Sequence, residues 1–191
     1  LASSLGKALP SSPLINFSGA SSDGNSLLIF AGSDTNPGTY YFLDRKTREM
    51  SELANVRPQL KNKVLSPVKA VTYKSRDGAT IPAYVTIPAG SSGKGMPAVV
   101  LPHGGPSARD EWGFDWLAQF LAARGYVVIQ PNYRGSAGYG DEFQNENAYR
   151  NWKTAMADIT DSARYLIDSG IAVKDRVAIV GWSYGGYAAL Q

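Results

Sequence analysis

The 191-residue sequence contains no cysteine, which excludes a disulfide framework and a thiolate metal site. This absence suits the cytoplasm, the compartment we expect, and leaves the periplasm open. No apolar stretch approaches the ~20 residues that span a bilayer. Residues 1–10 also lack the basic start and the continuous apolar core of a signal peptide. We therefore expect no membrane partner.

The sequence has few charged residues, at 18% of the chain, and a net charge of only +3. Its lysines and arginines are scattered rather than gathered into a basic stripe, so we expect no nucleic-acid partner. Phosphate-binding loops, metal-ligand clusters and cofactor motifs are missing, so we expect no cofactor and no metal. The apolar content of 43% is that of an ordinary globular protein.

Residues 1–66 carry short β-rich segments separated by turn residues. Strands are predicted over 26–31 and 39–44, with a third segment at 49–53, and this spacing is typical of antiparallel structure. Two or three such strands cannot bury a core alone. We therefore predict that residues 1–66 are the C-terminal end of a β-propeller plus a linker. The alternative is a small β-appendage to the domain that follows.

Residues 67–191 change to a pattern of alternating strands and helices. A hairpin is predicted over 68–74 and 80–87, with Pro82 favouring an edge strand. Further strands are predicted at 97–101, 126–130 and 176–180, and helices at 110–124 and 151–169. Strands that alternate with helices in this way predict an α/β fold with a parallel sheet and right-handed crossovers.

The segment after the last predicted strand reads Gly-Trp-Ser-Tyr-Gly at 181–185. A strand, Gly-x-Ser-x-Gly and a helix of small residues form the nucleophile-elbow pattern, in which the serine sits on a tight, strained turn. Gly181 and Gly185 supply room where a Cβ would collide with neighbouring backbone. Ser183 is therefore the candidate catalytic nucleophile.

A serine nucleophile requires hydrogen-bond donors for the oxyanion that forms during acyl transfer. The N–H of Tyr184, directly after the serine, is one candidate. The other is the N–H of Gly105, because His-Gly-Gly-Pro at 103–106 follows a predicted parallel strand and its glycines allow a close backbone approach.

Three motifs together resemble the prolyl oligopeptidase family of serine peptidases: Leu-Pro-His-Gly-Gly-Pro at 101–106, Gln-Pro-Asn-Tyr-Arg-Gly-Ser-Ala-Gly-Tyr-Gly at 130–140, and Gly-Trp-Ser-Tyr-Gly-Gly-Tyr at 181–187. The acylaminoacyl-peptidase-like branch is the most similar, because that branch carries a histidine where His103 stands and other branches carry a tyrosine. The resemblance implies a β-propeller joined to an α/β-hydrolase domain that begins near residue 67 and cleaves short peptides. It also implies Ser183 as nucleophile, Gly105 and Tyr184 as oxyanion donors, and the Tyr184 ring as a wall of the primary specificity pocket.

The catalytic base and acid of that family follow the serine in chain order, and they are not recognisable in this sequence. His103, the only histidine, belongs to the oxyanion loop by resemblance and is a weak candidate for the base. Asp175 precedes the predicted strand and so lies roughly 17 Å from the elbow. Asp158 and Asp161 are interpreted as part of a solvated helix face.

Two further groups have open interpretations. Arg134, in the glycine-rich loop after residue 130, either positions substrate or a propeller, or forms a scaffold ion pair that supports the loop. The large aromatic residues of the second half are interpreted mostly as core rather than as a stacking platform: Trp112, Phe114, Trp116, Trp152 and Trp182.

These observations predict a serine peptidase that hydrolyses short peptides through an acyl-enzyme on Ser183. The alternatives are a carboxylesterase on the same fold, and a catalytically incomplete fragment that acts only as a binding module. Since the chain begins on a leucine and ends soon after the elbow, we expect it to be part of a longer protein. The expected partners are a short peptide substrate and either the remaining C-terminal segment or a second copy of the chain.

Overall fold

The computed structural model describes residues 1–145 and 149–191. The chain divides into two compact units. The first comprises Leu1–Leu65 with Gly113–Asp115, and the second comprises Ser66–Trp112 with Trp116–Gln191. The assignment of residues 1–66 to a propeller and of 67–191 to a catalytic domain stays a prediction.

The first unit is an antiparallel sheet of four strands in chain order, preceded by one helix. Its elements are α1 (Ala2–Ala8), β1 (Leu14–Ala20), β2 (Ser26–Gly32), β3 (Thr39–Asp44) and β4 (Glu49–Asn55). The predicted strands β2, β3 and β4 are confirmed, whereas α1 and β1 were not predicted from the sequence. The short turns follow from their chemistry, because the Asp44 carboxylate accepts hydrogen bonds from the N–H groups of Lys46 and Thr47.

The second unit is a mixed sheet with the strand order β5-β6-β8-β7-β9. Its strands are β5 (Val68–Lys74), β6 (Thr80–Thr86), β7 (Met96–Val100), β8 (Val127–Pro131) and β9 (Ala172–Ile179). Its helices are α2 (Trp116–Ala122), α3 (Asp141–Asn145), α4 (Trp152–Asp168) and α5 (Tyr184–Leu190). Strands β5 and β6 form the predicted hairpin, and β8, β7 and β9 run parallel as predicted. The α/β class is confirmed, although β6 pairs antiparallel with β8 and makes the sheet mixed.

The prediction that Pro82 marks an edge strand is wrong, since β6 lies between β5 and β8. Pairing with β8 covers Ala83 to Thr86, and the Pro82 carbonyl then accepts a hydrogen bond from the Asn132 N–H at 2.8 Å. The missing N–H of the proline therefore falls just past the end of β8, where the ladder requires no donor.

The helix predicted over 110–124 is shorter in the structure, because α2 begins at Trp116. Its buried residues are Ala118, Gln119 and Ala122, while Trp116 is 55% exposed. Trp182 is 54% exposed as well. The interpretation of the large aromatic residues as mostly core is therefore wrong, because none of the five is fully buried.

The sheet of the second unit brings three loops to one edge. Val100 of β7 pairs with Ile179 of β9 and with Ile129 of β8, so the carboxyl ends of these parallel strands lie side by side. The segments that leave them are 101–106, 132–140 and 180–183, which are the three motifs of the sequence. In open α/β sheets the carboxyl ends of the strands are where ligands bind.

Candidate active site

Ser183 occupies a strained turn between β9 and α5. Its backbone has φ 53° and ψ −125°, a conformation that residues with a side chain rarely adopt and that is concentrated at functional sites. Helix α5 begins at the next residue, and the Tyr187 N–H donates to the Ser183 carbonyl at 3.0 Å. The strand, the strained serine and the helix reproduce the geometry that the nucleophile-elbow pattern predicts.

The glycines of the elbow are required by close backbone contacts. A Cβ on Gly185 would collide with the carbonyl oxygen of Pro102, and one on Gly181 would collide with the backbone of Gly185. The elbow therefore packs directly against the loop that leaves β7, and no side chain fits between them.

The loop after β7 passes beside the nucleophile. A methyl group on Gly104 would lie 3.8 Å from Ser183 Oγ and 3.4 Å from Ser183 Cβ. Gly105 has φ +127° and precedes a cis peptide bond to Pro106. The structure thus places Gly104, the neighbour of the predicted donor Gly105, beside the nucleophile Ser183, which precedes the other predicted donor, Tyr184. The donor roles of Gly105 and Tyr184 stay predictions.

The side chain of His103 is buried within its own loop, at 7% exposure. Its Nδ1 lies 2.6 Å from the Gly104 carbonyl oxygen, and its Nε2 lies 2.8 Å from Ser136 Oγ. Both ring nitrogens are thus engaged by groups other than Ser183. Burial lowers the pKa of His103 below its usual value, and the hydrogen bond to Gly104 opposes this shift only in part. These contacts make His103 a structural member of the loop rather than a base for Ser183.

Tyr133 connects the loop that follows β8 with the loop that follows β7, a role that no local sequence pattern indicates. Its fully buried ring stacks on His103 at 4.5 Å between centroids and on Tyr184 at 5.8 Å. Its hydroxyl donates to the His103 carbonyl oxygen at 2.8 Å. The hydroxyl of Ser136 lies 2.6 Å from the Tyr133 carbonyl oxygen. The motif at 130–140 was singled out from the sequence, but the spacing of its residues did not show which neighbours they contact.

Asn132 connects the loop that follows β8 to Asp110 in the segment that follows β7. It is fully buried, its Oδ1 accepts from the Asp110 N–H at 2.8 Å, and its Nδ2 donates to the Asp110 carbonyl at 3.0 Å. The same Nδ2 donates to the Tyr139 hydroxyl at 2.7 Å. A side-chain amide satisfies both backbone groups of one residue in this way, so the loop from 103 to 110 is tied to the loop that leaves β8.

The interpretation of Asp158 and Asp161 as a solvated helix face is wrong. Both are buried, at 0% and 2% exposure, and each is paired with an arginine from another element. Asp158 binds Arg134 and Asp161 binds Arg76. Buried carboxylates are stable only when paired and hydrogen-bonded in this way. Asp175 lies within β9 rather than before it, since the strand begins at Ala172.

The two ion pairs form one charged cluster on α4. Burial raises the pKa of Tyr73, and the negative charges of Asp158 and Asp161 add to that effect. Burial alone would raise the pKa of Asp161, but the hydrogen bonds and charge of Arg76 hold it below its ordinary value. The hydrogen bond to Asp158 raises the pKa of Arg134, so this guanidinium is permanently charged.

Comparison with known proteins places these features in a family. Residues 112–191 match the family model described as "Prolyl oligopeptidase family". A dipeptidyl aminopeptidase BIII of Pseudoxanthomonas mexicana is 41% identical over 162 residues, which cover 81% of this chain and 23% of that protein. Residues 112–191 belong to the prolyl oligopeptidase family.

Solved structures of this family resemble the chain in fold. A puromycin-hydrolysing peptidase of Mycobacterium tuberculosis matches with a TM-score of 0.75 and 32% identity, covering 87% of this chain and 26% of that one. An acylaminoacyl peptidase of Pyrococcus horikoshii matches with a TM-score of 0.71 and 25% identity, covering 91% of this chain and 28% of that one. The chain thus spans about a quarter of the length of the prolyl oligopeptidase family members that it matches.

The described part of the chain supports neither a metal site nor a membrane-spanning helix. Its histidine and acidic side chains include no group of three that would hold a metal ion. Among the described residues, each helix is too short or too polar to cross a membrane.

Proposed function

We propose that the chain carries the nucleophile and the oxyanion site of a serine peptidase that hydrolyses short peptides. The observation that supports this most directly is Ser183 at its strained turn, with Gly104 beside its hydroxyl. The family relatives support the reaction class, because they include a dipeptidyl aminopeptidase and an acylaminoacyl peptidase.

In this proposal Ser183 Oγ attacks the carbonyl carbon of the substrate, and the oxyanion accepts hydrogen bonds from the N–H groups of Tyr184 and Gly105. Tyr184 is the first residue of α5 and follows the nucleophile directly. Each such donor contributes ~2.7–4 kcal/mol to transition-state stabilisation. The Tyr184 ring lines the pocket for the residue at the cleaved bond.

A base must remove the serine proton for this attack, because a serine hydroxyl is a weak nucleophile at neutral pH. Both ring nitrogens of His103 are engaged by other groups. We therefore propose that the base and its acid partner lie on a polypeptide segment outside these 191 residues. The source is a further segment of a longer parent protein or the same segment of a second copy of that protein, since these 191 residues contain no histidine besides His103.

We also propose that the first unit is a blade of a β-propeller. Leu27, Ile29 and Leu43 on one face of its sheet pack against Leu5 of α1. Neighbouring positions in a strand point to opposite faces, so Leu28 and Phe42, which are directly paired, lie on the other face. Phe42 is 38% exposed. Apolar residues on both faces are expected of a sheet that stacks between neighbouring blades.

The direct test is labelling of the 191-residue chain with a fluorophosphonate probe, with the modified residue identified by mass spectrometry. Because the base is proposed to lie outside these residues, we expect slow labelling with a single adduct on Ser183. We expect no adduct in Ser183→Ala and unchanged labelling in Ser92→Ala, an exposed loop serine used as the control. The expected loss in Ser183→Ala is complete, because the probe bonds to the nucleophile itself.

The outcome distinguishes the remaining candidates. Unlabelled protein assayed with acetyl-aminoacyl, dipeptidyl and simple ester substrates, with the labelled protein as the inactive control, separates a peptidase from a carboxylesterase. A well-folded chain that does not react would contradict activity in the chain as it stands, and would favour the binding module that lacks a base and acid.

A further inference from the structure

Arg134 is held by Asp158 through three hydrogen bonds. The Arg134 backbone N–H donates to Asp158 Oδ2 at 3.0 Å, Nε donates to the same oxygen at 2.9 Å, and Nη2 donates to Oδ1 at 2.7 Å. The carboxylate therefore fixes both the backbone and the guanidinium of one residue. Since Asp158 lies in the middle of α4 and is fully buried, the backbone at position 134 is anchored to a rigid element.

The residue before Arg134 is Tyr133, the ring that lies between His103 and Tyr184. Its hydroxyl donates to the His103 carbonyl, directly before the Gly104–Gly105 backbone. Any displacement of the backbone at 134 must therefore move a ring that contacts both sides of the candidate oxyanion site. This sequence of contacts runs from Asp158 through Arg134 and Tyr133 to the loop.

A neighbouring ion pair, Arg76 with Asp161, is connected to the loop after β8 less directly. The Arg76 N–H donates to Asp161 Oδ2 at 2.7 Å, Nε donates to Oδ2 at 3.0 Å, and Nη2 donates to Oδ1 at 2.9 Å. The geometry repeats that of Arg134 and Asp158, three residues further along α4. However, Arg76 lies in the turn between β5 and β6. Its pair reaches Arg134 through the next residue of that turn, Asp77, whose Oδ2 lies 2.7 Å from Arg134 Nη2.

We infer that the Arg134–Asp158 pair is a positioning device that sets the geometry of the oxyanion loop, with Tyr133 as the connecting residue. The inference rests on the proposed function for its catalytic meaning. Arg134 and Asp158 act here through Tyr133 and His103 and do not contact the reacting atoms. Side-chain arrangements that hold a site within fractions of an ångström have large effects on rate even when they lie outside the site.

The test compares Asp158→Asn with Asp161→Asn. Both changes remove a buried carboxylate charge from α4 with little change in shape, and Asp161 carries the additional contacts with Ser75 and Arg164. Asp161→Asn is therefore a demanding control for general destabilisation of the helix. The first measurement is the imidazole NMR signal of His103, which is unambiguous because the chain has only this histidine.

We expect Asp158→Asn to shift or broaden the His103 signal and Asp161→Asn to leave it in place. The second measurement is the rate of fluorophosphonate labelling at Ser183, which we expect to fall at least tenfold in Asp158→Asn and less than twofold in Asp161→Asn. Arg134→Lys keeps the charge but not the planar fork of donors, so its expected effect on both measurements is intermediate. It also replaces Asp158→Asn if that variant does not fold.

The two proposals fail in different ways. If the unmodified chain is not labelled, the proposed activity fails for this chain, and the His103 signal still tests the positioning role. Equal responses of the signal to the two aspartate variants, or no response to either, would overturn the inference.

Discussion

The two compact units differ in how their sheets are covered. In the first unit one apolar cluster lies on one face of the sheet, between Leu27, Ile29 and Leu43 and the helix residue Leu5. In the second unit, Val127 and Ile129 of β8 belong to a cluster with α4, while Val128 belongs to a cluster with α2. Because successive residues of a strand point to opposite faces, the central strand of the second unit is covered on both sides.

This difference explains where the candidate chemistry lies. A sheet buried on both faces can hold polar groups at its edge in fixed positions, because their hydrogen bonds are shielded from water and their backbone does not move freely. The buried polar residues around the candidate site lie in the second unit: His103, Asn132, Ser136 and Asp158. The first unit offers antiparallel strands and one partly covered face, which is the character of a building block in a larger assembly.

The largest effects are expected from truncating one fully buried isoleucine in each unit. These variants test whether the two units, whose sheets are covered differently, unfold separately. Ile129→Ala is expected to lower the free energy of unfolding of the second unit by ~2–5 kcal/mol, because it leaves a cavity between well-packed layers. Ile29→Ala is expected to affect the first unit alone. Tryptophan fluorescence separates the two, because all four tryptophans lie in the second unit.

In chemical denaturation we expect the fluorescence midpoint to move in Ile129→Ala and to stay in Ile29→Ala. Hydrogen exchange over residues 14–55 should instead accelerate in Ile29→Ala. A shift of the fluorescence midpoint by both variants would show that the units unfold together, and the distinction between them would be wrong.

A smaller effect is expected from adding one methyl group to a glycine of each unit. Gly185→Ala places a Cβ against the Pro102 carbonyl, and such overpacking costs about 1–3 kcal/mol. Gly6→Ala, in α1, meets nothing within 4 Å, and alanine stabilises a helix by up to ~1 kcal/mol relative to glycine. We expect opposite signs in thermal unfolding, and slower labelling of Ser183 only in Gly185→Ala. Destabilisation by Gly6→Ala would contradict the open space around α1.

The sequence was sufficient for the elements with a strong local signal. The hairpin, the parallel strands and α4 have the expected order, and Ser183 lies on the turn that Gly-x-Ser-x-Gly predicts. Gly170, with φ +69°, lies just past the end of α4, as a glycine is expected to do. The oxyanion loop and the elbow could be placed side by side because both follow strands of one parallel sheet.

The errors arose where tertiary partners decide the outcome. Asp158 and Asp161 carry a surface signature on a helix, and only the distant arginines Arg134 and Arg76 make their burial favourable. Proline is typical of edge strands, and only the position at which β8 ends explains why Pro82 lies in an inner strand. Tyr133 is the clearest case, since no local pattern shows that a tyrosine will stack between residues 103 and 184. Its position depends on three loops that meet only in the folded sheet.

The smallest expected effect concerns pH, and it should be confined to the second unit. Burial lowers the pKa of His103 below 6.5, its value in an unfolded chain. The unfolded state therefore binds more protons in that range, so the free energy of unfolding should fall as the pH drops below about 6.5 and level off below the folded-state pKa. His103→Gln removes the titrating group and should flatten this slope in the fluorescence-detected transition. An equal slope in the variant would assign the pH dependence to other groups, and a slope of opposite sign would mean that the folded loop stabilises the charged imidazole, with both ring nitrogens donating to Gly104 and Ser136.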